Sequence, residues 1–207
     1  MALLKLAMAS LSRAAVLGVL LLGAQFAAAA PVLYDFEAFN DADALTSQIG
    51  GLDFEQATVL ASGVSLNQDE FPPHSGSNVV FDDGGPLSIS FAAPVFSVGG
   101  FFTYNTALNF SAYDSGNHLL GSLASLFASN LGLSGDAGSS SNEFLSFDSA
   151  AGLISKVVIS GDPFGASFTL DDLSVDAGLS VPEPQSLALV LAAIAAAGLQ
   201  QRRRKKK

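Results

Sequence analysis

The middle of this 207-residue chain is predicted to fold as an all-β domain, an antiparallel sandwich of about eight to ten short strands. Apolar and polar residues alternate with a period of two in runs such as residues 87–91 and 108–112, which is typical of strands with one buried face. Groups of Asp, Asn, Gly and Pro separate the runs, at residues 82–86, 114–117 and 161–163. No long stretch has the 3.6-residue period of an amphipathic helix.

The remaining segments fit this arrangement in order along the chain. In the opening strand Asp35 and Glu37 share one face, because side chains alternate across a strand. Helical character is confined to residues 41–48 and 119–127, which is the only support for a helix-rich alternative. Residues 130–142, rich in Gly and Ser, are expected to form an untethered surface connector, the alternative being the rim of a binding site.

The closing strand, from Phe168 to Val175, changes the parity of its apolar positions halfway. Apolar residues occupy even positions before Asp171 and odd positions after Asp172. Both sets can face one core only if the strand contains an extra residue between them. The pattern therefore predicts a β-bulge at these two aspartates, and bulges redirect the side chains that they contain.

Both ends of the chain are predicted to be targeting segments rather than parts of the fold. Residues 1–29 have the three regions of a secretory signal peptide: the cations Lys5 and Arg13, an apolar run at residues 14–22, and small residues before a cut that precedes Ala30. Signal peptidase is thus an expected partner and residues 30–180 an expected exported domain. An uncleaved N-terminal anchor helix is the alternative.

The C-terminal segment, residues 181–207, consists of a short motif, an apolar run and a basic tail. The motif residues are Val181, Pro182, Glu183 and Pro184. The uncharged run that follows, residues 187–199, would span roughly 20 Å as a helix, short of the ~30 Å hydrocarbon core of a bilayer. The tail residues that follow are Arg202, Arg203, Arg204, Lys205, Lys206 and Lys207. Six cations hold such an end in the cytoplasm by the positive-inside rule, which leaves the preceding domain outside.

These three parts, in this order, resemble the PEP-CTERM sorting signal of bacterial surface proteins. The resemblance covers about the last 27 residues and is carried by the motif, the apolar helix and the basic stop. It implies that the tail is a temporary inner-membrane anchor that an exosortase removes near the motif. It also implies a final location at the cell surface or in the extracellular matrix, in bacteria that make exopolysaccharide and biofilm.

Charge and cysteine content exclude several classes of function. The segment between the two ends contains eighteen of the nineteen acidic residues and one of the nine basic residues, Lys156, for a formal charge of −17. Such a surface repels phosphate backbones, so no nucleic-acid partner is expected, whereas divalent cations are attracted. The chain has no cysteine, which excludes disulfides and thiolate chemistry.

The domain also resembles secreted jelly-roll sandwiches of the carbohydrate-binding kind in residues 34–37, 111–117 and 168–175. In that group the first and last strands often pair and hold a structural Ca²⁺. The resemblance therefore implies a calcium site with carboxylates as ligands, since Ca²⁺ prefers oxygen. The candidate ligands are Asp35, Glu37, Asp171 and Asp172. Carboxylates that merely face water at a sheet edge are the alternative.

Two further acidic groups, one of them with a histidine, are weaker candidates for a metal site. Asp82 and Asp83 precede two glycines, and turn formation accounts for them. Asp69, Glu70 and His74 could form a ligand cluster, but an exposed Pro-rich loop is the favoured interpretation.

No nucleophile elbow, zinc-protease, phosphate-loop or dinucleotide motif occurs, so the chain is not expected to be an enzyme. The sequence favours a non-enzymatic surface or matrix protein associated with exopolysaccharide. A secreted glycan hydrolase that uses a carboxylate pair and a passive coat protein remain the alternatives.

Overall fold

The computed structural model describes residues 30–178, and their regular structure consists of eleven strands and no helix. The strands are β1 (Val32–Tyr34), β2 (Leu52–Glu55), β3 (Ala57–Ala61), β4 (Asn78–Asp82), β5 (Leu87–Val95), β6 (Ser97–Tyr104), β7 (Asn109–Tyr113), β8 (Leu119–Ala124), β9 (Glu143–Asp148), β10 (Ile154–Ser160) and β11 (Phe168–Asp176).

The strands form two antiparallel sheets. The six-stranded sheet has the order β3-β4-β11-β6-β9, with β1 also paired to β11, and the five-stranded sheet has the order β2-β5-β10-β7-β8. The predicted all-β sandwich is thereby confirmed for these residues. The segment 119–127, which had some helical character, contributes the strand β8 instead.

The core lies between the two sheets and is made by the alternating positions that the sequence predicts. Phe102 of β6 meets Phe110 of β7 edge to face, with ring centroids 6.1 Å apart. Leu87 and Ile89 of β5 are fully buried. Ser90 of the same strand, which has β2 on one side and β10 on the other, faces outward. Period-two burial of this kind fixes the register, because a slip of one residue would turn every apolar side chain outward.

The predicted bulge is present in β11. Asp171 is opposite Phe101 of β6, but the next pair is Ser174 with Gly99, so β11 has one extra residue in that interval. Asp172 has a positive φ of 47° there. The bulge brings the apolar residues on both sides of it into the same core, since those before and after it are all buried.

The segment 130–142 is tied to the sheet at several points, so its prediction as an untethered connector is wrong. The Asn130 side chain is fully buried and its Oδ1 accepts the backbone N–H of Tyr104 at 2.6 Å. Its Nδ2 donates to the carbonyls of Phe102 and Ser140. The amide side chain at the start of this segment thus takes the place of backbone pairing with β6.

The signal peptide (residues 1–29), the sorting motif, the apolar run and the basic tail lie outside the described residues. Within residues 30–178, no helix is long and apolar enough to cross a membrane.

Candidate functional site

The bulge of β11 holds a loop against the outer face of the six-stranded sheet. Asp171 is 1% exposed, and its Oδ2 accepts the backbone N–H groups of His74 and Ser75 at 2.7 and 2.9 Å. Its Oδ1 accepts the N–H of Asp172 at 2.7 Å. Burial raises the pKa of Asp171 to about 6, although these hydrogen bonds oppose the shift. The carboxylate therefore serves as an internal acceptor for loop backbone.

Asp172 holds the side chains of the same loop. Its Oδ2 lies 2.6 Å from Nδ1 of His74, and its Oδ1 accepts the hydroxyl of Ser75 at 2.9 Å. The positive φ at Asp172 turns its side chain to the same side as that of Asp171. The two carboxylates together fix both the backbone and the imidazole of residue 74.

Glu37 fixes the far end of this loop, and Asp35 does not take part. Glu37 Oε1 accepts the N–H groups of Ser77 and Asn78 at 2.8 and 2.7 Å. Asp35 is exposed and accepts only the N–H of Glu37, at 3.2 Å.

Three of the four predicted calcium ligands, Glu37, Asp171 and Asp172, thus accept hydrogen bonds from one loop. No group of three or more acidic or histidine side chains within residues 30–178 is arranged to hold a metal ion. Calcium binding stays a prediction.

The other predicted acidic groups have structural partners. Glu70 Oε2 accepts the N–H groups of Leu133 and Ser134, both at 3.1 Å, while His74 pairs with Asp172, so the suggested cluster of Asp69, Glu70 and His74 is not assembled. Glu70 instead joins two loops on the outer face of the six-stranded sheet.

Asp82 is fully buried and binds the start of β11. Its carboxylate accepts the N–H and the hydroxyl of Ser167 at 2.8 and 2.6 Å and the N–H of Phe168 at 2.9 Å. Burial raises the pKa of Asp82 above its ordinary value. Turn chemistry alone did not reveal this role, because the partner residues are far away in sequence.

The held loop completes a cluster of three rings, His74, Phe101 and Phe144, which we call the aromatic platform. The imidazole of His74 stacks on Phe101 with a centroid separation of 3.4 Å and an angle of 7°. Phe101 contacts Phe144 of β9 at 5.0 Å and 53°. Phe144 is 51% exposed and His74 has 38% of its side chain exposed, so the platform offers aromatic surface to solvent.

Gly99 allows Phe144 to lie low on the sheet. A Cβ at Gly99 would come within 3.0 Å of the ring and 2.7 Å of Ser146 Cβ, so only glycine leaves room for this packing. Phe144 is opposite Phe101 and reaches diagonally to Gly99, as aromatic side chains do on antiparallel strands.

Hydroxyls and carboxylates lie on the same face as the platform, in the two rows that lead from it toward Ser97. Antiparallel partners point to the same side of a sheet, so Ser174 and Ser146 flank Gly99. One row further, Asp176 and Asp148 flank Ser97. A sugar ring presents an apolar face and a rim of hydroxyls, and this combination of aromatic and polar side chains matches both.

Sequence reasoning missed the aromatic platform because its members come from three separate segments and include no Trp or Tyr. The few tyrosines and the lack of tryptophan even argued against a stacking surface. The alternating outward position of Phe144 in β9 was the one signal available, since an apolar residue there has no place in the core.

Asp171 in the bulge cannot serve as the catalytic acid that the alternative of a secreted glycan hydrolase would need. A general acid of a glycosidase needs a raised pKa, which Asp171 has, but it must also reach the glycosidic oxygen. Asp171 is buried, and its oxygens are occupied by the loop backbone. Its raised pKa reflects a structural role.

No protein-family model and no curated protein matches this sequence. Among solved structures, the K2 cleaved adhesin domain of Lys-gingipain is 16% identical, with 70% of this chain and 99% of that chain covered and a TM-score of 0.45. The K1 domain of Lys-gingipain from Porphyromonas gingivalis W83 is 11% identical, covers 72% and 99%, and has a TM-score of 0.42.

The CBM22-1 xylan-binding domain of Paenibacillus barcinonensis Xyn10C is 13% identical, covers 75% and 98%, and has a TM-score of 0.40. With identities and TM-scores this low, the likeness is a distant one in the arrangement of strands only.

Proposed function

We propose that this chain is an exported, non-catalytic surface or extracellular-matrix protein that binds extracellular polysaccharide through the aromatic platform. The observation that carries the proposal is an exposed aromatic ring, Phe144, which lies next to Gly99 on the same sheet face as several hydroxyls and carboxylates. Polysaccharide contact needs this pairing of apolar and polar groups.

The proposed location of the protein rests on the sequences of the two ends of the chain. A signal peptide at residues 1–29 delivers the chain to signal peptidase, and the apolar run anchors the precursor in the inner membrane. An exosortase then acts at the motif from Val181 to Pro184 and releases the domain to the surface or matrix. A structural Ca²⁺ with ligands among Asp35, Glu37, Asp171 and Asp172 is part of the same proposal.

The proposal is tested by binding of the full chain to exopolysaccharide from the producing cells. The protein is kept in a polyoxyethylene detergent, since sugar-based detergents could compete for the platform. We expect saturable binding, measured by calorimetry with calcium and with EDTA, and no release of reducing ends. Phe144→Ala should weaken binding by at least about ten-fold, the usual effect of removing an anchoring aromatic side chain.

Phe164→Ala is the matched control, because Phe164 is 85% exposed in the turn between β10 and β11, away from the platform. It should bind like the parent. Equal losses in both variants, or no saturable binding by the parent, would contradict the proposal and leave a passive coat protein. Cleavage of the glycan would favour the alternative that the protein is a secreted glycan hydrolase. Loss of binding in EDTA would support the calcium site.

A further inference from the structure

The charge around the aromatic platform restricts what kind of polysaccharide it can hold. Residues 30–178 contain eighteen carboxylates and one cation, Lys156. Within that part of the chain, the only ion pairs are those of the two histidines with aspartates, so no Lys or Arg neutralises any carboxylate. The potential at the platform is therefore negative, and uronate or sulfate groups on a glycan would be repelled.

The single cation cannot relieve this repulsion at the platform. Lys156 is on β10, in the other sheet, where its Nζ donates to Asn117 Oδ1 at 2.8 Å and lies 5.2 Å from the centre of the Tyr113 ring. It is thus engaged on the opposite side of the sandwich.

The carboxylates on the same sheet face as the platform are groups that attract an ammonium group. Asp148 and Asp176 lie on its face, on the two strands next to Ser97, and Asp148 is exposed. An exposed aromatic ring attracts a cation through its negatively charged face, and Phe144 offers such a ring. Carboxylates and an aromatic ring on one face thus favour a ligand that has both an apolar surface and a positive charge.

On the basis of the proposed function, we infer that the platform takes a polysaccharide with free amino groups, such as a partly deacetylated polymer of hexosamine. The apolar face of an amino-sugar ring packs on Phe144. Ser146 and Ser174 lie in the next row for its hydroxyls, and the ammonium group of the following sugar ring lies toward Asp148 and Asp176, roughly 13 Å from Phe144 along β9.

The test compares three hexasaccharides on the full chain: fully deacetylated chitosan hexamer, fully acetylated chitin hexamer, and oligogalacturonate with calcium or with EDTA. The basic tail is replaced, Arg202 to Lys207 each by Gln, so that it neither binds galacturonate nor occupies the acidic face of another molecule. We expect the chitosan hexamer to bind at least about ten-fold more tightly than the chitin hexamer, because several amines act together. Its affinity should fall between 0.05 and 0.5 M NaCl.

Any acidic protein attracts a polycation, so two double variants with equal charge separate the platform from the general field. Asp148→Asn with Asp176→Asn should weaken chitosan binding about five-fold or more, given two- to five-fold for each exposed ion pair. Asp53→Asn with Glu55→Gln removes the same charge from β2 in the other sheet and should have a smaller effect.

Equal losses in the two double variants would overturn the inference, since the attraction would then be general. Equal affinity for the acetylated and deacetylated hexamers, abolished by Phe144→Ala, would overturn the amine preference and leave the polysaccharide-binding function standing. Calcium-dependent galacturonate binding would also overturn it, in favour of a bridging cation. Absence of binding by all three sugars and by native exopolysaccharide would reject both proposals.

Discussion

At the level of single residues, Asp171 shows how a buried charge can be used to hold a loop. Its carboxylate is 1% exposed and accepts three backbone N–H groups from the loop and the bulge. A buried carboxylate without such donors would be far more costly. The loop in turn holds His74 on Phe101, so the aromatic platform depends on a group that never touches solvent.

This burial gives a pH dependence with a defined sign. The pKa of Asp171 is about 6 when folded, against an ordinary value of 3.8, so the folded state binds its proton more tightly than the unfolded state does. Its contribution to stability is fully present below pH ~4 and is lost as the pH rises to ~6, by no more than roughly 3 kcal/mol. The free energy of unfolding of the parent, relative to Asp171→Asn, should therefore fall across this range.

Thermal melts of both proteins at half-unit steps from pH 3.5 to 7 measure this difference. The Asn variant is expected to be less stable throughout, because its Nδ2 cannot accept the N–H of Asp172. A stability difference that stays constant with pH would show that Asp171 does not titrate in this window.

At the level of elements, buried polar side chains hold three of the segments that leave the sheets. Asn130 holds the segment that leads to β9, Asp171 holds the loop before β4, and Asp82 holds the turn before β11. Such anchors replace backbone pairing where the loops leave the sheets.

Asp82→Ala should accordingly be among the most destabilising substitutions in the domain. It leaves the N–H groups of Ser167 and Phe168 without an acceptor inside the protein. We expect a loss of roughly 2–4 kcal/mol and a decrease in Tm on the order of 5–15 °C, measured by differential scanning fluorimetry.

Asp83→Ala is the matched control, since Asp83 is the next residue, is exposed and bonds only to the hydroxyl of Thr58. Its effect should stay within about 0.5 kcal/mol. Equal effects of the two substitutions would mean that burial of Asp82 does not anchor the turn.

What the sequence predicted at this level follows from the range of the interactions. The structure has eleven strands where eight to ten were expected. The all-β class and the bulge in β11 were predicted correctly because alternation and a change of parity are local signals. The platform and the loop anchors were not, because they join residues far apart in the chain. For example, Asp171 lies 97 residues after His74. Gly- and Ser-rich composition indicated a free connector at 130–142, and a single buried Asn overrides that signal.

At the level of the whole molecule, the two ends of the sandwich lie side by side. β1 and β11 are antiparallel neighbours, with Val32 opposite Val175, so the chain enters and leaves the domain at adjacent points. The turn at Gly178 is fixed by a hydrogen bond from its N–H to Asp176 Oδ1 at 2.8 Å. Removal of both predicted targeting segments would thus leave the strand pairing of the domain complete.

Mass spectrometry of the ends of the native protein tests this processing. We expect a mature N-terminus at Ala30 and a C-terminus close to the motif at Val181 to Pro184, without the six terminal cations. Deletion of an exosortase gene in the producer should leave the basic tail in place. An intact tail on protein from wild-type cells would contradict the processing proposal.

The position of β11 has a consequence for the order in which the domain can form. This last strand lies inside the six-stranded sheet, with β6 on one side and β4 and β1 on the other. A chain that is exported from its N-terminus cannot close that sheet until residue 176 has left the membrane. Until then β4 and β6 have open edges, which seek partners. If the chain is exported as proposed, this topology leaves the sheet open until β11 has crossed the membrane, and the domain completes its folding only at the end of export.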